Sequence, residues 1–374
     1  MLHSPALRST LALIVLAAAG CSMRQPIKVC MQGDIDAAAS MKLDNNVSQV
    51  SARTLPGEPC SGPRIALIDI DGLLVNRNLT GMSSMGENPV ALLREKLQRA
   101  ERDPCVAAVV LRVNSPGGGV TACDIMRWEL TQFRQRSGKP VVACLMDVGA
   151  GGAYYIATAA DVITAHPTTI TGGVGVILNL YDLQDFMQQQ NVVENVIRSG
   201  EKIDMGTPTR TMDADEAAIL EGIAAEFHKR FKDAVLAARP ALATRAGSAE
   251  VVPLPGASPS DADPEDADSE LADSDLLDGR VLTGSDALRL GMVDELGYLE
   301  DAVRLAEGAA GVIGAKTIVY RRDNDRALTP YDITPNVPGG GLMPFSLPGV
   351  DRALLPTFLY LWQPEPAYEK TSGP

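Results

Sequence analysis

From Arg64 onward, apolar residues fall into short β-rich runs separated by stretches of helical period. Arg64–Asp71 (RIALIDID) predicts a strand. Asn88–Arg102 has helical periodicity and predicts a helix packed on the sheet. Val106–Val113 predicts the next strand, buried on both faces over Val109–Val113. Thr121–Arg136 predicts a helix with its apolar stripe at Ile125, Leu130 and Phe133, and with Trp128 as a packing or interface residue. Val141–Met146 and Asp161–Ala165 predict two more strands, and Val192–Arg198 another that leads into Ser199. Asp213–Arg239 predicts a long helix that Asp213 can cap. Leu299–Ala310 predicts a helix and Thr317–Arg321 a strand. Periodicity alone makes this an α/β protein.

Two strand ends are rich in glycine. Val109–Val113 runs into Pro116, Gly117, Gly118 and Gly119, which predict a turn whose backbone N–H groups can face a ligand. Val141–Met146 runs into Val148–Ala153, a small-residue turn that opens a helix near Tyr154. Two such corners on one sheet make a site with exposed amides and room for a substrate carbonyl.

At these residues the chain resembles the signal peptide peptidase A-like serine peptidases (peptidase family S49). The matching blocks are Asn114–Gly119, Gly138-Lys139-Pro140, Gly152–Thr158 and Thr171–Gly175. Further on come Ser199-Gly200 with Gly206-Thr207-Pro208, Asp278–Gly284, and Gly291–Gly297. The resemblance spans Arg64 to Gly311. It implies a ClpP/crotonase-like spiral of β-β-α units. It also implies peptides bound in extended form at Gly117, Gly118 and Gly119, with Gly118 as the oxyanion donor. Arg280 would anchor loops. Family members assemble as rings or domes, so the resemblance implies a homo-oligomer, or a hetero-oligomer with an active paralogue.

The chain departs from the family where the chemistry lies. The family's serine nucleophile stands in a turn of the form MAASGGYY. Here the turn reads VGAGGAYY, and the serine's position is Gly151. The family's general-base lysine falls on Ile203, with Lys202 one residue away as a displaced candidate. A Ser–Lys pair needs both partners within hydrogen-bond reach and a neutral lysine. The expected function is therefore a non-catalytic peptide-binding, scaffold or regulatory homologue. The alternative is an active membrane-associated endopeptidase with a relocated nucleophile, for which Thr158 and Ser115 are the candidates. Thioester-enolate chemistry on two backbone amides needs no serine, but coenzyme A is scarce outside the cytoplasm.

The ends and the composition add a location. Residues 1–21 carry Arg8, an apolar core too short to span a bilayer comfortably, and Ala17-Ala18-Ala19-Gly20-Cys21. Small residues before a cysteine resemble a bacterial lipobox, which implies cleavage before Cys21 and its lipidation. The alternative is an ordinary cleaved leader. A lipid anchor would hold the chain on a bacterial membrane, facing the periplasm or exterior. The net charge of −14 argues against nucleic acid and against adhesion to anionic lipid. Beyond Cys21 the cysteines are Cys30, Cys60, Cys105, Cys123 and Cys144, with no C-x-x-C; Cys30 and Cys60 are the pair an oxidising compartment could join. Two histidines outside the leader, His166 and His228, fit structural roles. No metal and no cofactor is expected.

Asp261–Asp275 holds eight acids and no base, in a stretch of Ala, Pro, Ser and Asp that predicts disorder over 240–275, as a solvated spacer or a partner-binding tether. The organisation is a lipoprotein signal peptide at 1–21, an extension at 22–62 with one strand at Ile27–Met31, an S49-like domain at 63–325 around the acidic insertion, and a Pro/Gly-rich tail at 326–374. The tail's apolar end, Leu354–Trp362, is expected at a subunit interface or docked on the chain's own core.

Overall fold

The computed structural model describes residues 27–29, 39–41, 49–54, 62–78, 87–245, 277–322 and 358–362. The leader with Cys21, Cys30, Cys60 and the acidic run Asp261–Asp275 lie outside the described residues.

The chain opens with a small antiparallel pair, β1 (Ile27–Val29) and β2 (Ala39–Met41), followed by β3 (Ser51–Thr54). Then come β4 (Arg64–Leu74), α1 (Pro89–Arg102), β5 (Val106–Gly119), α2 (Val120–Ser137), β6 (Val141–Ala150) and α3 (Gly152–Ala157). After them run β7 (Val162–Ala165), β8 (Ile170–Gly172), α4 (Gln184–Gln189), α5 (Ala214–Ala238) and α6 (Pro240–Arg245). Past the acidic run follow β9 (Val281–Thr283), α7 (Gly284–Leu290), β10 (Glu295–Leu296), α8 (Leu299–Ala310), β11 (Lys316–Arg321) and β12 (Leu359–Leu361).

The main sheet has the order β10-β7-β6-β5-β4-β11-β3, parallel except for β3 at the edge. Side-chain alternation explains why both faces are covered. Ile65 and Leu67 of β4, Ala108 and Val110 of β5, and Val142 and Cys144 of β6 pack with Leu299, Ala302 and Ala306 of α8. The intervening Ala66, Ile68, Val109, Leu111, Ala143 and Leu145 belong to the larger core with α1, α2 and α3. A strand buried on both faces reads as a near-continuous apolar run, as these do. Cys144 is one of those buried positions.

Helix ends follow their local chemistry. The Asn88 side chain accepts from the N–H of Val90 at 3.0 Å, ahead of Pro89 at the first helical position of α1. Asp213 and Glu216 form a capping box on α5. Gly138 ends α2 in the left-handed region.

The strands at the centre do more than cross the main sheet. The β4–β5 register shifts past Asp71, and the β5–β6 register shifts past Val113. Beyond those shifts Leu73 and Leu74 pair with Gly117 and Gly118, and Val148–Ala150 pairs with β8, which in turn pairs with β9. β8, β9 and β12 thus branch off the main strand order.

Four expectations change. Pro116–Gly119 is the extended end of β5 rather than a turn, because it has strand partners on both sides, β4 and β12. Val192–Arg198 forms no strand: its apolar side chains are exposed, with Ile197 fully so, and among the described residues it pairs with no strand. The helix expected near Tyr154 starts at Gly152. At the start of the predicted disordered insertion, Pro240–Arg245 is helical.

Candidate functional site

The two glycine corners meet, as the strand ends imply. Gly151 joins β6 to α3 with φ 55° and ψ −127°, a sharp strand-to-helix corner of the kind that presents a nucleophile. Its N–H donates to Gly172 O at 2.9 Å, and its carbonyl accepts from Tyr155 N–H at 3.0 Å. Gly151, the position that the family resemblance gives to the nucleophile, stands at this corner and carries no side chain.

The corner is not empty. β12 lies antiparallel against the end of β5, with Leu359 opposite Gly119, Tyr360 opposite Gly118 and Leu361 opposite Gly117. Trp362 N–H donates to Pro116 O at 2.9 Å, and Val120 N–H donates to Phe358 O at 3.1 Å. On its other edge, Leu359 exchanges both backbone hydrogen bonds with Ile177, at 2.9 and 3.0 Å. The segment is therefore an inserted strand, held by backbone on both sides.

Three glycines surround one oxygen of that strand. A Cβ at Gly117 would overlap the Tyr360 carbonyl oxygen, one at Gly151 would stand 2.7 Å from it, and one at Gly152 3.1 Å. Gly118 cannot carry a side chain either, since its Cβ would overlap the Leu74 carbonyl. The space between the two glycine corners holds the carbonyl of Tyr360.

The side chains of the segment have their own pockets. Tyr360 is fully buried, with its ring 4.7 Å from that of Phe231 and 5.2 Å from that of Tyr155; its hydroxyl donates to Phe227 O at 2.7 Å. Phe358 packs edge-on against Phe227, with centroids 5.3 Å apart. None of these aromatic partners stands out in the sequence. The signal was the alternation Phe358, Tyr360, Trp362, a period of two that marks one face of a strand.

The remaining candidates are engaged elsewhere. Lys202 donates to Asp213 at 2.8 Å in an exposed ion pair, and this bond raises its pKa. That is the opposite of what a general-base lysine needs. Ile203 is exposed. Around this loop lies an open polar cleft lined by Arg198, Ser199, Glu201, Arg210 and Glu216, whose arginines are spent on acids: Arg198 on Asp204, and Arg210 on Asp204 and Glu216. Ser115 is buried; its hydroxyl donates to Gly72 O at 2.6 Å and accepts from Gly117 N–H at 3.0 Å. Thr158 donates to Tyr155 O at 2.6 Å and accepts from Arg127 Nε at 3.0 Å. Neither hydroxyl has a basic side chain to take its proton.

His228 meets Leu277 O at 2.7 Å, and His166 packs at a tilt against Tyr298, with burial lowering its pKa. Arg280 pairs with Asp278 within its own loop, while its carbonyl accepts from Gly173 N–H.

A mixed α/β sheet whose two glycine corners meet at the end of β5 and β6 defines the class, an α/β domain of the ClpP/crotonase-like type. Residues 133–248 match the sequence profile of peptidase family S49. Protease 4 of Salmonella typhi is 28% identical over 267 residues, which is 71% of this chain but 38% of that protein. A putative signal peptide peptidase SppA of Enterococcus faecium is 24% identical over 276 residues, 74% of this chain and 72% of its own length. A putative protease of Methanocaldococcus jannaschii is 27% identical over 232 residues, 62% and 65% of the two chains. Among solved structures, the 1510-N membrane-bound stomatin-specific protease is similar at 15% identity and a TM-score of 0.35, covering 66% of this chain and 85% of its own. The matched profile and these relatives support peptidase family S49 as the family this chain is similar to.

Proposed function

We propose that this chain is a non-catalytic S49 relative that binds extended peptides and serves as a scaffold or regulator. In this reading it is a lipoprotein anchored through Cys21 to a bacterial membrane, and it faces the periplasm or exterior. It assembles with copies of itself or with an active paralogue. The observation that carries the reading is Gly151: the corner that would present a nucleophile has no side chain to present. The charged, ion-paired state of Lys202 and the committed hydroxyls of Ser115 and Thr158 support it. Exposed apolar side chains along one region, among them Tyr181, Phe186, Val193, Ile197 and Ile203, support assembly. Among the described residues no helix is long and apolar enough to cross a membrane.

The test is hydrolysis of a peptide library by the full chain, read by mass spectrometry, beside the variant Gly151→Ser with Ile203→Lys. The native chain is expected to be silent. Cleavage by the native chain overturns the reading, and Ser115→Ala, Thr158→Ala and Lys202→Ala would then locate the chemistry.

A further inference from the structure

We propose that Phe358–Trp362 is a built-in occupant of the peptide groove, and that the groove's external ligands are uncharged extended peptides with aromatic side chains two residues apart. The proposal rests on the reading of this chain as a peptide-binding S49 relative. It goes further by naming the ligand class and the device that limits access.

Three independent observations converge on one segment. The first is backbone. Phe358–Trp362 is paired on both edges, with Gly117–Gly119 on one side and Ile177 on the other. Such two-sided pairing is sequence-tolerant, because it uses only N–H and C=O groups, and it is how an extended peptide is held in a sheet. The second is the carbonyl. Of the segment's backbone oxygens, that of Tyr360 is the one that Gly117, Gly151 and Gly152 all face. A peptide whose carbonyl fits there must place one particular side chain in the pocket beside it. The third is side-chain fit. The occupant of that pocket is Tyr360, against Tyr155 and Phe231, and two residues before it Phe358 meets Phe227. Alternation along a strand puts positions 358 and 360 on the same face.

The pocket walls are aromatic, and the polar contact for the Tyr360 side chain is a backbone carbonyl, Phe227 O. That environment favours an aromatic side chain, with or without a hydroxyl, and disfavours a charged one. The segment is covalently part of the same chain, so it competes as an intramolecular ligand whose effective concentration does not depend on that of the bulk peptide. An external peptide sees only the fraction of molecules whose groove is vacant, and its apparent Kd rises by that factor.

The experiment uses the full chain and a fluorescein-labelled synthetic peptide of the sequence of residues 356–364, PTFLYLWQP, with fluorescence anisotropy as readout. The variant Phe358→Ser with Tyr360→Ser empties both pockets from within. It is expected to bind the probe at least about tenfold more tightly than the native chain. A probe with serine at the same two positions is expected not to bind the variant. Equal affinity of native chain and variant overturns the proposal, as does a folded variant that binds neither probe or both alike. If the double variant does not fold, Trp362→Pro carries the same test: it removes the N–H that reaches Pro116 O and no fully buried aromatic ring. Unchanged probe affinity in that variant overturns the proposal. Mass spectrometry of the same mixtures separates the two readings: probe cleavage by the native chain sinks the non-catalytic assignment, whereas the affinity comparison alone decides the exchange.

Discussion

A side chain placed on Gly151 would aim at Tyr360: its Cβ would stand 2.7 Å from the Tyr360 carbonyl oxygen and 3.0 Å from the carbonyl carbon. Both distances are well inside van der Waals contact, so any side chain at this corner would press directly on the strand that occupies it. Gly151→Ser is therefore expected to destabilise the native chain for two reasons. The corner's φ of 55° costs a non-glycine residue about 1–3 kcal/mol, and the new Cβ must push the β12 backbone away. The second effect depends on β12 being seated. Urea unfolding of Gly151→Ser, of Phe358→Ser/Tyr360→Ser and of their combination is expected to be non-additive, with a smaller cost for serine once the segment is released. Strict additivity would mean that the two residues do not share the site.

Burial raises the pKa of Asp71 from 3.8 to about 7; the Asp69 charge adds to the effect, while the Asn114 hydrogen bond and Arg112 oppose it. The unfolded chain ionises Asp71 near pH 4, and the folded chain resists until near pH 7. Between these values the folded state holds the extra proton, so stability from this group is complete below about pH 4 and declines as the pH rises through 7. Chemical unfolding at pH 5 and pH 8 is expected to show a smaller drop for Asp71→Asn than for the native chain. An equal drop would assign the pH dependence elsewhere.

Asp69 faces two cations within the sheet-and-helix core: Lys96 at 3.1 Å and Arg112. Lys96 has no exposed surface and Arg112 is nearly as buried. Removing one partner from a buried ion cluster costs far more than the cluster contributes by forming, because a charge is left without its counter-charge. Asp69→Ala is expected to cost about 3–5 kcal/mol in denaturant unfolding. Asp69→Asn should cost less, since it keeps an acceptor for both.

Much of this architecture is legible in the chain itself, and the exceptions have a common cause. The strands at Arg64, Val106 and Val141 and the helices at Asn88, Thr121 and Leu299 are set by local periodicity, and they stand where the periodicity puts them. Gly117–Gly119 looks like a turn because three glycines lower the cost of a positive φ, yet only Gly117 uses one, at 104°. What holds the others extended is pairing of Gly118 with Leu74 and Tyr360 and of Gly119 with Leu359, residues far away in sequence. Val192–Arg198 shows the reverse: strand-forming residues that pair with no strand among the described residues. The absence of a side chain at Gly151 is plain in the sequence, but the segment that lies over it is not. Its alternating aromatics give its conformation, while its destination is fixed by the pockets of Tyr155, Phe227 and Phe231, which form only when α3 and α5 have packed.

Lys202 provides a control on the missing base. Its hydrogen bond to Asp213 at the start of α5 stabilises the charged form, so its pKa stands above the usual lysine value. Lys202→Ala should leave peptide binding unchanged and the melting temperature close to native, because both partners are exposed. A loss of probe affinity on this substitution would place Lys202 in the groove, contrary to its pairing here.

Gly117 and Gly138 separate a backbone preference from a steric need. Both have positive φ, 104° and 66°. A Cβ at Gly138 would meet nothing within 4 Å, whereas one at Gly117 would overlap the Tyr360 carbonyl and stand 2.6 Å from Gly152 N. Gly138→Ala should therefore carry only the cost of left-handed backbone, about 1–2 kcal/mol, with unchanged peptide binding. Gly117→Ala adds a methyl group where any bound strand must place its carbonyl. In the Phe358→Ser/Tyr360→Ser background, where the groove is open, Gly117→Ala should abolish probe binding while Gly138→Ala leaves it intact. Retained binding in the Gly117 variant would show that external peptides enter by a path other than the one β12 takes.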